Sequence, residues 1–337
     1  MPQPQVTVVV VPRERFSFTK PSFESLYRNT DFPFELIYVD GGSPEPVATY
    51  LDEQNKRKRF QLIRTDHHLA PNQARNLALA QVETPYVVFM DNDILVTLGW
   101  LEALWRCAEK TGAWLVGPIY CIGNPSAWVV HMAGGEARIE PRDGGRFLHE
   151  RHLFRGRRLA DVRPLLRRGP CELLEFHCML ARSDVFARLG VLDEKLLSTP
   201  EHIDLCLKVG DAGGEIYLEP DAVVSYVPPP PFARTDLRYF TLRWSEDWNR
   251  SSLAHFRHKW NLSADDPFLD RHNRWLRNHR QIILTPWAGV IGRAARSKPS
   301  RWITRKVLSP IEVSVNRFLT RQRNDVGQPF DAPHSNV

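Results

Sequence analysis

Val87-Val88-Phe89-Met90-Asp91-Asn92-Asp93 decides how this chain folds. Four consecutive apolar residues need burial on both faces, the condition of a strand inside a parallel sheet. The run stops at two carboxylates, Asp91 and Asp93, with Asn92 between them. In such sheets ligands sit in the crevice beyond the carboxyl ends of the strands, so these acids stand where chemistry is expected.

The flanking sequence agrees with that reading. Upstream, Val6–Val11 is a second buried run closed by Pro12, and Pro21–Asn29 carries Phe23, Leu26 and Tyr27 at helical spacing. Phe34–Val39 is a strand that stops at Asp40-Gly41-Gly42-Ser43. Pro46–Lys56 reads as a helix, Phe60–Arg64 as a short strand and Pro71–Gln81 as a helix. Downstream, helix Trp100–Lys110 and strand Ala113–Tyr120 continue the alternation. The pattern predicts an α/β fold, a mostly parallel Rossmann-like sheet flanked by helices.

Between Gly134 and Gly169 the periodicity is lost, and ten arginines among glycines predict surface loops and hairpins. Strand Cys178–Ala181, helix Ser183–Leu189 with Ser183 as N-cap, a helix around Glu201–Gly210, and short strands Glu215–Leu218 and Ala222–Val227 follow. Pro228–Pro231 close a first domain over 1–231. Beyond it, Leu237–Trp260 is dense in aromatics and reads as a helix packed on the body or on a partner. The rest of 232–323 alternates Arg/Lys with Trp287, Trp302, Ile303 and Phe318, the pattern of a basic helical C-terminal extension. Residues 324–337 are expected to be a disordered tail.

Composition excludes several classes. Apolar residues make up 42% and charged residues 25%, a globular balance that argues against disorder, collagen and coiled coil. No apolar run approaches the roughly 20 residues of a membrane-spanning helix. The Met1 end lacks a signal-peptide pattern, and the five cysteines are scattered without a CxxC pair, as reduced core thiols would be. A cytoplasmic protein, peripheral at the inner face of the membrane, is expected. The membrane element comes from charge: from Arg271 onward thirteen Lys/Arg face three Asp/Glu, so a tail of +10 follows a body of −4 within a total of +6. That asymmetry predicts contact between the tail and an anionic membrane surface. No nucleic-acid module accompanies it, so no nucleic-acid partner is expected.

Paired carboxylates at a strand end suit a hard cation, Mn²⁺ or Mg²⁺, whose remaining positions go to phosphates and water. An ordinary Asx turn would use the same residues. The order of motifs separates these readings. Val6–Pro12, Phe34–Ser43, Ala74-Arg75-Asn76, Asp91-Asn92-Asp93, Asp193-Glu194 and Glu201-His202-Ile203-Asp204-Leu205 succeed one another as the motifs of the family 2 glycosyltransferases do, and over residues 6–227 the chain resembles that family.

The resemblance implies a GT-A-type fold and an inverting transfer from a nucleoside-diphosphate sugar to a glycan or lipid-linked hydroxyl. It implies that Asp40 and Arg75 recognise the nucleobase, helped by the chain at Pro12, Arg13 and Glu14. Asp91 would face ribose or metal, Asn92 would belong to the same donor-binding turn, and Asp93 would be the main ligand of the cation.

Two positions depart from the family pattern. Its base is usually the second residue of a Glu-Asp pair, which here is His202 beside Glu201; either can accept a proton, with Asp204 in support. Members often carry a metal-binding histidine after the last strand, where this chain has Tyr226; His177, near the expected sugar pocket, is a candidate substitute. The arginines of Arg138–Arg168 suit an anionic acceptor. A non-catalytic binding or scaffold relative would account for His202 and Tyr226, but not for the retention of Asp40, Arg75, Asp91 and Asp93. A nucleotidyltransferase would need a glycine-rich phosphate loop, and Val11-Pro12-Arg13-Glu14-Arg15 has no glycine.

Overall fold

The protein is described by a computed structural model over residues 3–123, 128–142, 144–226, 233–284, 310, 312–314 and 316. Along the chain come β1 (Val6–Val11), α1 (Thr19–Arg28), β2 (Glu35–Gly41), α2 (Glu45–Lys58), β3 (Gln61–Thr65), α3 (Pro71–Leu79), β4 (Tyr86–Asp91), β5 (Ile94–Val96), α4 (Trp100–Thr111) and β6 (Leu115–Ile122). Then follow β7 (Val129–Met132), β8 (Gly135–Arg142), β9 (Gly145–His152), α5 (Leu159–Val162), β10 (Gly169–Cys171), β11 (Cys178–Arg182), α6 (Asp184–Leu189), α7 (Glu201–Asp211), β12 (Ile216–Tyr226), α8 (Leu237–Arg243), α9 (Glu246–Lys259) and α10 (Pro267–Arg280).

The main sheet runs β10-β12-β6-β11-β4-β1-β2-β3, with β5 against β12 and β7 against β6. β1 pairs in parallel with β2 and β4, β2 with β3, and β6 with β12. β1 and β4 are buried at every position, as their unbroken apolar runs require. The sequence did not disclose that β11 enters between β4 and β6 in the antiparallel sense, with Cys178 opposite Met90. This reversal sets the residue before β11 against the end of β4: the Asp91 amide donates to the His177 carbonyl at 3.2 Å. Close packing here leaves no room at Gly117, where a Cβ would stand 2.3 Å from Leu174 Cδ2.

Other boundaries moved for local reasons. The two short strands expected over 215–227 are one strand, β12, which absorbs the break as a register shift between Leu218 and Val223. Ser183 precedes α6, but its hydroxyl donates to the Thr84 carbonyl at 2.7 Å instead of capping the helix. The aromatic stretch 237–260 is two helices, because Ser245 breaks it and caps α9 by accepting from the Trp248 amide at 3.2 Å. Asp266 caps α10 in the same way through the Phe268 amide. These helices lie on the body: Leu253, Phe256 and Phe268 are buried in the same core as β1 and β4, each contributing about 1.5–3 kcal/mol by leaving water. In the Arg-rich region the expected hairpin is β8–β9, but the region is not all surface loop: it also forms α5 and buries Leu148, Leu159, Val162 and Leu166. Pro228–Pro231, the basic amphipathic segment with Trp287, Trp302, Ile303 and Phe318, and the tail from 324 lie outside the described residues.

Candidate active site

A cavity of about 390 Å³ opens beyond the carboxyl ends of β4 and β1. Arg13, Arg75, Asp91, Phe176 and His177 line its floor, and Glu201 and His202 at the start of α7 line one wall. Arg243, Trp244, Phe268, Arg271, His272, Trp275 and His279 close it from the C-terminal helices. Asp91 is the centre of the floor. Its carboxylate accepts from His177 Nδ1 at 2.8 Å and lies 3.4 Å from Arg75 Nη2 and 3.4 Å from Arg13 Nε. Burial alone would raise its pKa, but His177, Arg75 and Arg13 outweigh burial and hold it below the usual carboxylate value.

Arg75 is not a surface residue of α3. It is buried with its guanidinium 3.9 Å from the Phe176 ring centroid and 3.7 Å from Glu201 Oε1, and it donates to Asn72 Oδ1 at 3.1 Å. The next residue along α3, Asn76, donates to the Leu192 carbonyl and to Glu194 Oε1, each at 2.8 Å, and accepts from the Leu192 amide at 3.0 Å. The Ala-Arg-Asn and Asp-Glu motifs are therefore joined in space.

The other expected site residues divide sharply. His202 faces the cavity, and burial lowers its pKa below the ordinary histidine value, which keeps the imidazole neutral and able to take a proton. Glu201 is buried, its Oε1 accepting from Arg243 Nη2 at 2.9 Å. Asp204, expected to support catalysis, turns away from the cavity: it accepts from Lys259 Nζ and Trp260 Nε1, both at 2.8 Å, and so ties α7 to α9. Asn92 is a clamp. Its Oδ1 accepts from the Arg13 amide at 3.0 Å, and its Nδ2 donates to the Arg15 carbonyl at 3.0 Å. The Pro12 carbonyl is taken by Tyr239 Oη at 3.1 Å.

Glu14 is fully buried and looks toward the C-terminal helices, accepting from Trp244 Nε1 at 3.0 Å, from His279 Nε2 at 2.9 Å and from Tyr226 Oη. Asp40 stands at the same sheet edge on β2, outside the cavity lining. Its oxygens accept from the Ser43 amide at 2.9 Å and from Arg64 Nε at 2.8 Å.

The pair Asp91 and Asp93, as placed, does not fit a divalent cation. The Arg13 guanidinium occupies the space between them, 3.4 Å from Asp91 and 3.6 Å from Asp93, and Arg15 Nε is 3.6 Å from Asp93 on the other side. Tyr226, where a metal-binding histidine was looked for, instead carries Arg13 over its ring at 4.6 Å. Asp93 is fully buried, and neither of its oxygens has a hydrogen-bond partner among the described residues. Burial raises its pKa to about 6, against the partial opposition of Arg13 and Arg15. Between Asp91 and Asp93, where the sequence suggested Mn²⁺ or Mg²⁺, stands the Arg13 guanidinium.

Sequence reasoning missed part of this wall. His131, Glu150, His152 and Glu175 also line the cavity. The available signal was period two on β9, where Glu150 and His152 share one face of the strand; Glu175 precedes a turn at 176–177 and gave no periodic signal. Arg243, Arg271 and His279 were hidden because the boundary drawn at the proline run assigned them to a separate extension.

Comparison with known proteins is consistent with this geometry. The profile of glycosyl transferase family 2 matches residues 7–186. The pre-mycofactocin glycosyltransferase of Mycobacterium tuberculosis is 29% identical over 222 residues, 66% of this chain and 42% of that protein, so the chain spans less than half of that relative's length. Among solved structures, GalNAc-T7 with UDP, GalNAc and Mn²⁺ superposes with a TM-score of 0.52 at 17% identity, covering 82% of this chain and 58% of the other. The mannosyltransferase PcManGT of Pyrobaculum calidifontis with GDP-Man and Mn²⁺ gives 0.50 at 14% identity, covering 94% and 85%. These two likenesses establish a shared GT-A fold. With its profile match extending over more than half of its length, the chain belongs to glycosyl transferase family 2.

Proposed function

We propose that the protein transfers a sugar from a nucleoside-diphosphate sugar to a hydroxyl of a glycan or lipid-linked acceptor, with inversion by direct displacement. The observation that carries this reading is a neutral, cavity-facing His202 standing with an arginine-and-carboxylate floor at the end of β4. Arg13 and Arg75 bind the donor's diphosphate and its neighbouring groups, since guanidinium forks match phosphate oxygens. Asp91 fixes both arginines and accepts from the ribose. His202 takes the acceptor's proton as the acceptor oxygen bonds to the anomeric carbon; the bond from that carbon to the phosphate breaks, and the nucleoside diphosphate leaves. Glu201 is the weaker candidate for the base, because its Oε1 is already taken up by Arg243 Nη2 at 2.9 Å and faces Arg75 Nη1 at 3.7 Å.

The expected acceptor class is supported by the arginines around the cavity mouth, Arg155 and Arg271. Contact of the basic segment with anionic lipid rests on the +10 charge from Arg271 onward, and no helix among the described residues is long and apolar enough to cross a membrane. Calorimetric titration of the full chain with UDP, GDP and dTDP tests the donor site. One nucleotide binds, and Arg13→Ala weakens it at least about tenfold, a loss of 1.4 kcal/mol or more. Binding of none, or equal binding by the variant, overturns the assignment.

A further inference from the structure

Glu175, just before β11, is buried beneath three imidazoles. His131 Nε2 on β7 is 3.0 Å from its Oε1, His152 Nε2 at the end of β9 is 3.8 Å from the same oxygen, and His177 Nε2 is 3.3 Å from Oε2. His177 is committed through Nδ1 to Asp91, which leaves His131, His152 and Glu175 as a set. One ligand atom from each of these three lies within 4.8 Å of the other two.

The backbone builds this meeting. Ala133 N donates to the Leu153 carbonyl at 3.2 Å, Leu153 N to the Gly134 carbonyl at 3.1 Å, and Glu172 N to the Gly135 carbonyl at 2.8 Å, which draws β7, β9 and the strand before Glu175 together. Gly135 permits the approach: a Cβ there would stand 2.9 Å from Leu173 Cβ and 3.0 Å from the Arg151 carbonyl.

Hydrogen bonding alone does not satisfy the cluster. His131 Nδ1, both ring nitrogens of His152 and Glu175 Oε2 are buried without a hydrogen-bond partner among the described residues. His152 Nε2 also lies 3.2 Å from Glu150 Oε1, an ion-pair contact when the ring is protonated. Unpaired buried polar atoms are rare and cost about 1–3 kcal/mol each, so several in one spot point to a ligand. We infer that His131, His152 and Glu175 bind a transition-metal ion of the Zn²⁺ class, leaving a coordination position open to the cavity. Two imidazoles and one carboxylate form the ligand set of open zinc sites, and imidazole disfavours Mg²⁺. The site is separate from the Asp91–Asp93 pair, and its ligands belong to elements that the transfer steps above do not use.

The test uses the full chain, stripped with chelator and titrated with Co²⁺ alone, read by its visible ligand-field absorption. One equivalent binds with a low-symmetry spectrum and is displaced by Zn²⁺. His152→Ala and Glu175→Gln each weaken uptake by more than the roughly tenfold that even an outer-shell change produces, with far-ultraviolet circular dichroism confirming that both variants fold. Arg13→Ala, which disables the proposed nucleotide site, leaves the Co²⁺ spectrum unchanged. If the wild-type chain takes up neither Co²⁺ nor Zn²⁺, the cluster is a water-bridged hydrogen-bond network and the inference falls, whatever the variants do. Equal uptake by His152→Ala and Glu175→Gln would place the ion elsewhere and also overturn it. UDP, GDP and dTDP titrations run on the same samples separate this failure from failure of the transferase reading.

Discussion

Replacing Asp93 with asparagine should stabilise the protein at neutral pH. Asp93 is fully buried, and its pKa stands at about 6 against an ordinary 3.8. The cause is burial first, with Glu14 and Asp91 adding repulsion and Arg13 and Arg15 only partly offsetting it. A carboxyl whose folded pKa is raised binds its proton more tightly in the folded state. Below about pH 4 it is protonated in both states and contributes nothing; between about pH 4 and 6 only the unfolded chain ionises it, so stability falls over that window and the full cost is reached above pH 6. Two units at 1.36 kcal/mol each make that cost about 3 kcal/mol. Asparagine resembles the protonated form and removes the cost. Urea unfolding followed by tryptophan fluorescence should therefore find Asp93→Asn more stable by about 3 kcal/mol at pH 8 and little different near pH 4. A variant less stable than wild type at pH 8, or a difference that ignores pH, would refute the reasoning and mean that the guanidiniums fully compensate the buried charge. A group held ionised at such a cost is expected where it serves a site; Asp93 stands 3.6 Å from both Arg13 and Arg15.

Other perturbations probe separate parts of the account. His202→Asn should lower transfer by roughly 10²–10⁴-fold with nucleotide affinity unchanged, and it should abolish an acid limb of the pH–rate profile that lies below the ordinary histidine value because burial lowers the His202 pKa; unchanged turnover would exclude His202 as base. Glu14→Gln should destabilise by about 1.5–3 kcal/mol, because it removes the carboxylate nearest Arg13, at 3.1 Å, and weakens the bonds to Trp244 and His279; a loss under about 1 kcal/mol in urea unfolding would contradict its role as the link between sheet and C-terminal helices. Gly117→Ala should cost about 1–3 kcal/mol, since the new methyl meets Leu174 and Tyr120 Oη, and a thermal melt as high as that of wild type would show that the packing yields.

The alternation of buried runs and amphipathic helices was legible because β1 and β4 are apolar at nearly every position and end on turn residues. The motifs were legible as an ordered series, and Asn76 shows why the series is physical: one side chain of α3 holds the Leu192–Glu194 segment. What could not be read depended on side-chain direction and chain reversal. Asp204 shares a short helix with His202, yet Lys259 and Trp260 claim it from α9, a helix no local pattern connects to it. Asn92 lies between two acids and is consumed in holding the Arg13–Arg15 backbone. The antiparallel entry of β11, which brings His177 to Asp91, is invisible to periodicity, since a strand reads the same in either direction. The proline run suggested a domain end, whereas Phe256 and Phe268 beyond it fill the same core as β1.

The central claim is that a sugar leaves its nucleotide in this cavity. Its most direct measurement incubates the full chain with UDP-, GDP- and dTDP-sugars and follows release of the nucleoside diphosphate, beside Asp91→Asn. The account predicts turnover of at least one donor by the wild-type chain and its loss, by at least about 100-fold, in the variant, whose floor no longer anchors Arg13 and Arg75. Turnover that survives Asp91→Asn undiminished, or no release from any donor by the wild-type chain, would contradict it.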